Sequence, residues 1–123
     1  MHLPLIFVML VAQPRWQAIG TTNIGNPVEL DTRSVKRAKG LVTATLRSRF
    51  AKPAKSPQGP ITSARTVVSF DCAKHTVAIV ENTYFLDEKT NKVYQHTKVG
   101  VPGYTAPMGG SLPEVGMGYL CKR

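Results

Sequence analysis

The chain has 123 residues, of which 42% are hydrophobic and 19% charged. This length predicts one domain with its own core and excludes a chain of several domains. Sixteen lysines and arginines against seven acids give a formal net charge of +9. Such a charge favours partners rich in negative charge, such as nucleic acid, sulfated glycans, acidic phospholipids or acidic proteins. A basic secreted protein without a dedicated charged site is the alternative.

The first twelve residues, MHLPLIFVMLVA, form an uncharged apolar run. The run is too short to span a bilayer as a helix. An apolar segment that ends in a small residue, here Ala12, is typical of a secretory signal sequence. We therefore predict a signal in residues 1–12, complete or truncated upstream, and a single mature domain in residues 13–123. The alternative is that the run forms the first buried strand of the fold.

Short strand candidates follow along the first half of the mature chain. Residues 16–20 and 28–31 are the first two, separated by a turn. We expect residues 34–37 to continue the second strand up to a turn at Gly40, where glycine can adopt a positive φ. Residues 41–50 then alternate between apolar and polar side chains, which predicts a half-buried strand.

The polar side of this strand carries Arg47 and Arg49, and both are expected to face water. Residues 52–60 contain three prolines and further lysines. Because proline lacks the N–H that a sheet ladder needs, we expect this segment to form a cationic loop outside the sheet.

Further extended runs occupy residues 63–73, 76–86 and 93–99, the last two separated by a polar connection of hairpin length. Ser111 and Glu114 then have the spacing of a capping box, which predicts a short C-terminal helix. The chain is thus predicted to be an α+β, mainly β protein: an antiparallel sheet of about six strands with a short helix at its end.

The chain contains only two cysteines, Cys72 and Cys121. In a chain with an export-like start, two cysteines favour one disulfide, which would hold the C-terminal helix on the sheet. Two free thiols in a cytosolic protein are the first alternative. A zinc site is the second, but Cys72 and His75 are expected on opposite faces of a strand, and His96 alone does not complete a tetrahedral set.

Taken together, these residues resemble the surface-adhesin protein E family of small exported bacterial proteins. The resemblance runs from Trp16 to Cys121 and rests on four features in the same order as in the family. They are Trp16, the Asp31–Arg37 segment DTRSVKR, the Phe70-Asp71-Cys72 step, and Tyr104, Pro107 and Ser111 ahead of Cys121.

The resemblance implies a sheet of about six antiparallel strands with a disulfide-held helix, and a periplasmic, outer-surface or extracellular location. For the family's prototype it also implies adhesion to host matrix and serum proteins such as vitronectin and laminin. The prototype is lipid-anchored through a cysteine at the signal cleavage site. Gln13 stands at that position here, so no lipid anchor is expected.

We therefore predict a non-enzymatic, adhesin-like binding protein that uses a basic sheet surface. The expected partner is a host extracellular-matrix protein or an anionic glycan, and no cofactor or metal is expected. Peripheral membrane contact and a homodimer stay open. The predicted ligand-binding residues come from an acid-free basic stretch: Arg33, Lys36, Arg37, Arg47, Arg49, Lys52 and Lys55.

Three other functions are weighed against this prediction. Asp71 and His75 share a face and could be imagined as part of a catalytic triad, but no nucleophile motif accompanies them. A basic sheet could bind single-stranded nucleic acid, although the polar side of residues 41–50 has no aromatic ring for base stacking. A purely structural role in the bacterial envelope is the third.

Overall fold

The computed structural model describes residues 14–122, so the signal predicted in residues 1–12 and the position of Gln13 lie outside the described part. Within residues 14–122, seven strands form one antiparallel sheet, and one helix packs on it. The strands are β1 (Trp16–Thr21), β2 (Pro27–Asp31), β3 (Lys36–Ala38), β4 (Leu41–Ala54), β5 (Ile61–Asp71), β6 (Thr76–Asp87) and β7 (Lys92–Lys98), and the helix is α1 (Leu112–Leu120). The predicted mainly β fold with a C-terminal helix is confirmed.

The strand order is β1-β2-β4-β5-β6-β7, and β3 also pairs with β4. β2 and β3 share one edge of β4, where β2 pairs with residues 46–48 and β3 with residues 41–43. The expectation that residues 34–37 continue β2 is wrong, because the chain turns after Asp31. The N–H groups of Arg33 and Ser34 donate to the Asp31 side chain and carbonyl, respectively.

β4 is longer than the sequence predicts. It runs through Pro53 to Ala54, which pairs with Ile61 of β5. The expectation that residues 52–60 lie outside the sheet is therefore wrong for the first three of them. Proline is tolerated here because it lies where the β4–β5 register shifts, so its missing N–H does not interrupt a regular ladder.

The core lies between α1 and one face of the sheet, which we call the helix face. Gly116 is the point of closest approach: a Cβ there would lie 2.7 Å from Leu46 Cδ1 and 2.8 Å from Phe70 Cζ. The missing side chain lets the helix backbone approach the sheet. The buried residues of this core are Val28, Leu30, Val42, Ala44, Leu46, Val68, Phe70, Val77, Met117 and Leu120.

The predicted N-cap of α1 is present in a modified form. Ser111 Oγ accepts a hydrogen bond from the Glu114 N–H, as in a capping box. The Glu114 carboxylate, however, accepts from the Gly110 N–H, one residue earlier than in the usual box. The reason is that the Ser111 N–H already donates to the carbonyl of Met108.

The other end of α1 is covalently attached to the sheet. Cys121 forms a disulfide with Cys72, with 5.4 Å between the two Cα atoms. This confirms the predicted disulfide. Arg37 supports the same end, since its Nη2 donates to the carbonyl of Leu120 at 3.3 Å. No helix within residues 14–122 is both long enough and apolar enough to cross a membrane.

Candidate binding surface

The face of the sheet opposite α1, here called the open face, is built from charged and polar side chains. The antiparallel register places Glu29 of β2, Arg47 of β4 and Arg65 of β5 side by side. Side chains of laterally paired residues point to the same face, so these three form one row of charged side chains across the sheet, with the two arginines next to each other.

Trp16 of β1 lies in the middle of this row. The guanidinium carbons of Arg47, Arg65 and Arg15 lie 4.2, 5.3 and 5.5 Å from the centre of its ring. These distances are within the range of cation–π attraction. The Arg47 side chain is only 11% exposed as a result. The expectation that Arg47 faces water is therefore wrong, because the indole and the neighbouring carboxylates enclose it.

Two carboxylates complete this network. Arg47 Nη2 lies 3.0 Å from Glu29 Oε1, and Arg47 Nη1 lies 3.3 Å from Glu88 Oε2. Glu88 also accepts hydrogen bonds from Arg65 Nε at 2.6 Å and from Ser63 Oγ at 3.0 Å. The arginines in the centre of the open face are thus neutralised by acids from β2 and from the turn after β6.

The ionisation of Glu88 reflects this environment. Partial burial by itself raises the pKa of this carboxyl group. Hydrogen bonds from Arg65 and Ser63, and the positive charges of Arg65 and Arg47, outweigh burial and lower the pKa below its usual value. Glu88 therefore stays negatively charged and keeps both arginines in place at neutral pH.

The structure divides the seven predicted ligand-binding residues instead of bringing them together. Apart from the enclosed Arg47, they fall into two exposed groups near opposite ends of β4. Arg37 pairs with Val42, near one end of β4. Val42 and Ala54 pair with residues 70 and 61 of β5, so about 30 Å separates the two ends of β4 at roughly 3.3 Å per residue of strand. We call Arg33, Lys36 and Arg37 the disulfide-end group. We call Arg49, Lys52 and Lys55 the hairpin-end group.

The hairpin-end group adjoins a cleft of about 400 Å³ on the open face. Four cationic side chains line the cleft: Arg47, Arg49, Arg65 and Lys89. Asp87 and Glu88 line it as well, but the Glu88 carboxylate already accepts a hydrogen bond from Arg65. Arg49 is accessible, with 63% of its side chain exposed, although its Nε also lies 3.7 Å from Glu29 Oε1.

Sequence reasoning did not assign Arg65, Glu88 and Lys89 to the site. Arg65 could have been found from its position, because it occupies the polar side of a strand as Arg47 does. Glu88 and Lys89 follow β6 and give no such signal. Only the hairpin between β6 and β7 brings them to the open face.

The disulfide end of the sheet carries further cations. Lys39 lies in the turn before β4, Lys74 lies after Cys72, and Lys122 lies after Cys121. The possible triad members are also at this end, but they serve a turn: Asp71 Oδ1 accepts from the Lys74 N–H, and His75 has a φ of 53°. Within residues 14–122, no cluster of three or more His, Cys, Asp or Glu side chains could hold a metal ion.

Comparisons with known proteins agree on one fold. A family profile described as "Surface-adhesin protein E" matches residues 16–122. A structure of Haemophilus influenzae protein E is 9% identical, with a TM-score of 0.57 over 89% of this chain and 86% of that one. Protein E from non-typeable Haemophilus influenzae is 11% identical, with a TM-score of 0.55 over 89% of this chain and 77% of that one.

A second crystal form of Haemophilus influenzae protein E is 9% identical, with a TM-score of 0.58 over 89% of each chain. At these identities the structural likeness shows the fold alone. No curated protein sequence matches the chain significantly.

Proposed function

The chain belongs to the surface-adhesin protein E family, which makes it a surface adhesin by class, and we propose that it binds sulfated glycans of a host surface. The binding residues in this proposal are the hairpin-end group together with Lys89. The protein acts without catalysis, as an exported binding module. An acidic segment of a matrix protein carries similar negative charge and is the alternative ligand for this surface.

The charge distribution on the open face is the observation that supports this proposal. Arg47 is enclosed and paired with two carboxylates, so it offers little to a ligand. Arg49, Lys52 and Lys55 are exposed and continue outward from the cleft along the β4–β5 hairpin. An extended polyanion can therefore follow the hairpin from the cleft, with the Arg49 guanidinium group and the two lysines facing its sulfate groups.

Two matched triple variants test the location. Arg49→Glu, Lys52→Glu and Lys55→Glu reverse the hairpin-end group. Arg33→Glu, Lys36→Glu and Lys39→Glu make the same change in charge near the disulfide end and spare Arg37, which bonds to α1. Heparin affinity of both variants and the wild type is measured by isothermal titration at several salt concentrations.

We expect the hairpin-end variant to lose heparin affinity by at least about 100-fold and to lose most of the salt dependence. The disulfide-end variant should weaken binding by less than about fivefold, through the long-range field alone. Equal losses in the two variants would mean that net charge, not a site, attracts heparin. Normal heparin binding with lost matrix-protein binding would favour the protein ligand instead.

Nucleic acid is a less suitable ligand for this surface. Base stacking needs an accessible ring among the cations. Trp16 and Phe85 are aromatic residues beside these arginines. The guanidinium groups of Arg47 and Arg65 already lie against Trp16, and Phe85 is only 3% exposed and lies 5.3 Å from the Arg65 guanidinium carbon. A single-stranded oligonucleotide serves as the specificity control, and we expect it to bind more weakly than heparin at the same salt concentration.

A further inference from the structure

A cavity of about 330 Å³ opens on the helix face, beside the N-terminus of α1. The helix packs against β1, β2 and β4. Beyond the N-terminus of α1, the part of this face nearer the β4–β5 hairpin contributes residues to the cavity lining. The rings of Phe50 and Tyr84 form one wall, with 6.4 Å between their centres and 56° between their planes. Ile24 also lines the cavity and is 74% exposed. We call this space the helix-side cavity.

The lining of the helix-side cavity is electrically neutral. Among the described residues, no Asp, Glu, Lys, Arg or His lines it, although the chain as a whole carries a net charge of +9. The polar groups of the lining are amides and hydroxyls. They include the hydroxyl groups of Ser48, Thr66, Tyr84 and Ser111 and the amides of Asn26 and Asn82. A neutral ligand that forms hydrogen bonds suits such a lining better than an ion.

Ser48 provides independent evidence for a polar ligand. It lines the cavity, it is only 3% exposed, and its Oγ has no hydrogen-bond partner among the described residues. Buried hydroxyl groups in folded proteins normally have a partner. A group that enters the cavity from outside the fold could supply this partner.

The asparagines beside Ser48 are held in place by their oxygen atoms. Asn82 Oδ1 accepts from Thr66 Oγ1 at 2.7 Å, and Asn26 Oδ1 accepts from the Ala51 N–H at 2.9 Å. Each amide therefore has a fixed orientation and carries an NH₂ group that can donate to an oxygen of a ligand. The cavity combines such donors with a hydroxyl group that can donate or accept.

The helix N-terminus does not make this an anion site. Its first turn is already capped by Ser111 Oγ, and the negative Glu114 carboxylate bonds to the Gly110 N–H just ahead of it. Pro113 in the first turn has no N–H to offer. A purely apolar side chain is also a poor match, because it would leave the Ser48 hydroxyl unpaired.

We propose that the helix-side cavity binds one neutral sugar residue, a hexose or an N-acetylhexosamine. A sugar ring has C–H groups that pack on aromatic side chains and hydroxyl groups that donate and accept hydrogen bonds. Phe50 and Tyr84 contact the ring, and Ser48 and Asn82 bond to its hydroxyl groups. This site lies on the opposite face of the sheet from the heparin site and does not depend on it.

The test uses N-acetylglucosamine and galactose as probes, with binding followed by amide chemical shifts of the ¹⁵N-labelled protein. Ser48→Ala removes only the hydroxyl group, and Tyr84→Ala removes one of the two aromatic rings in the cavity wall. Tyr94→Ala is the matched control, because Tyr94 lies on β7 outside the cavity. Urea unfolding of each variant measures stability separately from binding.

At least one sugar should shift the amides around Ser48 and Asn82. Ser48→Ala should weaken its binding about 5–10-fold, as expected for one lost hydrogen bond. Stability should not fall, because the hydroxyl has no partner in the fold. Tyr84→Ala should abolish binding, and Tyr94→Ala should leave it unchanged. The hairpin-end triple variant should also leave it unchanged, even if that variant loses heparin.

Three results would overturn the proposal. The first is no chemical shift change at the cavity with either sugar. The second is an equal loss of binding in Tyr94→Ala and Tyr84→Ala. The third is binding of N-acetylphenylalaninamide at the cavity more tightly than either sugar, which would identify it as a pocket for an aromatic side chain of a protein partner.

Discussion

The two faces of the sheet are stabilised by different means, although their residues alternate along the same strands. The helix face buries a continuous apolar cluster under α1, and a disulfide fastens the end of that helix. The open face has no helix among the described residues to cover it and is organised by Trp16, three arginines and two glutamates. Burial and a covalent bond thus act on one side, and charge pairing acts on the other.

This difference has a consequence for how each face responds to its surroundings. Apolar burial depends little on pH or salt, whereas paired charges depend on both. A change on the helix face should therefore alter stability equally at all pH values. A change in the open-face network should alter it in a pH-dependent way. Three sets of substitutions probe the two faces, from the largest expected effect to the smallest, and the set at Glu88 tests the pH dependence.

The largest effect is expected from Cys72→Ser combined with Cys121→Ser. Removing a bond that closes a loop of 49 residues should lower the free energy of unfolding by about 4 kcal/mol. Urea unfolding measures this loss. Amide exchange in α1 should accelerate more than exchange in the centre of β5, because the bond fastens the helix to the sheet. Equal acceleration in both elements would show that the disulfide does not act mainly on the helix.

The second effect concerns Glu88→Gln on the open face. This change removes the charge that pairs with Arg47 and Arg65 and should lower the free energy of unfolding by about 2 kcal/mol at pH 7. Since the pKa of Glu88 is lower in the folded state, its ionised form favours folding. That contribution is complete above the unfolded-state pKa of about 4.5 and is lost as the pH falls through the lowered folded value.

Urea unfolding is therefore measured between pH 7 and pH 3. The free energies of unfolding of the wild type and of Glu88→Gln should converge in acid, at about the pH where the Glu88 carboxyl group takes up a proton. Glu81→Gln is the control, because Glu81 makes a more exposed pair with His96. A pair of this kind contributes about 0–1 kcal/mol. A constant difference between wild type and Glu88→Gln at every pH would contradict the charge-based account of the open face.

The smallest effects come from two glycines of the same helix. Gly116→Ala should lower the free energy of unfolding by about 1–2 kcal/mol, because its Cβ would overlap Leu46 and Phe70. Gly118→Ala should raise it by up to about 1 kcal/mol, because no atom lies within 4 Å of its Cβ position and alanine favours helix. A rise in the free energy of unfolding for both variants would mean that helix propensity, and not packing against Leu46 and Phe70, determines the effect at Gly116.

Local patterns predicted much of the helix face. The alternation in residues 41–50 identified the buried side of β4, and the cysteines identified the bond between Cys72 and Cys121. Ser111 marked the start of α1. These predictions succeeded because strand parity, helix capping and cysteine pairing depend on the identity of a few residues and on their spacing.

The open face could not be predicted in the same way. Arg47 and Arg49 are two positions apart on one side of one strand, yet one is enclosed and the other is 63% exposed. The difference arises from Trp16 of β1 and Glu88 after β6, which reach Arg47 from distant parts of the chain. No pattern within β4 contains that information.

The amino-acid sequence by itself determined where most of the strands lie, which side of β4 is buried, and where the chain is cross-linked. Backbone geometry and side-chain chemistry act over a few residues, so local order is sufficient for these features. Only the tertiary structure decided which cations remain free, because the acids and the indole that pair with Arg47 and Arg65 come from other strands. It likewise created the neutral helix-side cavity, because a short helix covers only part of the sheet.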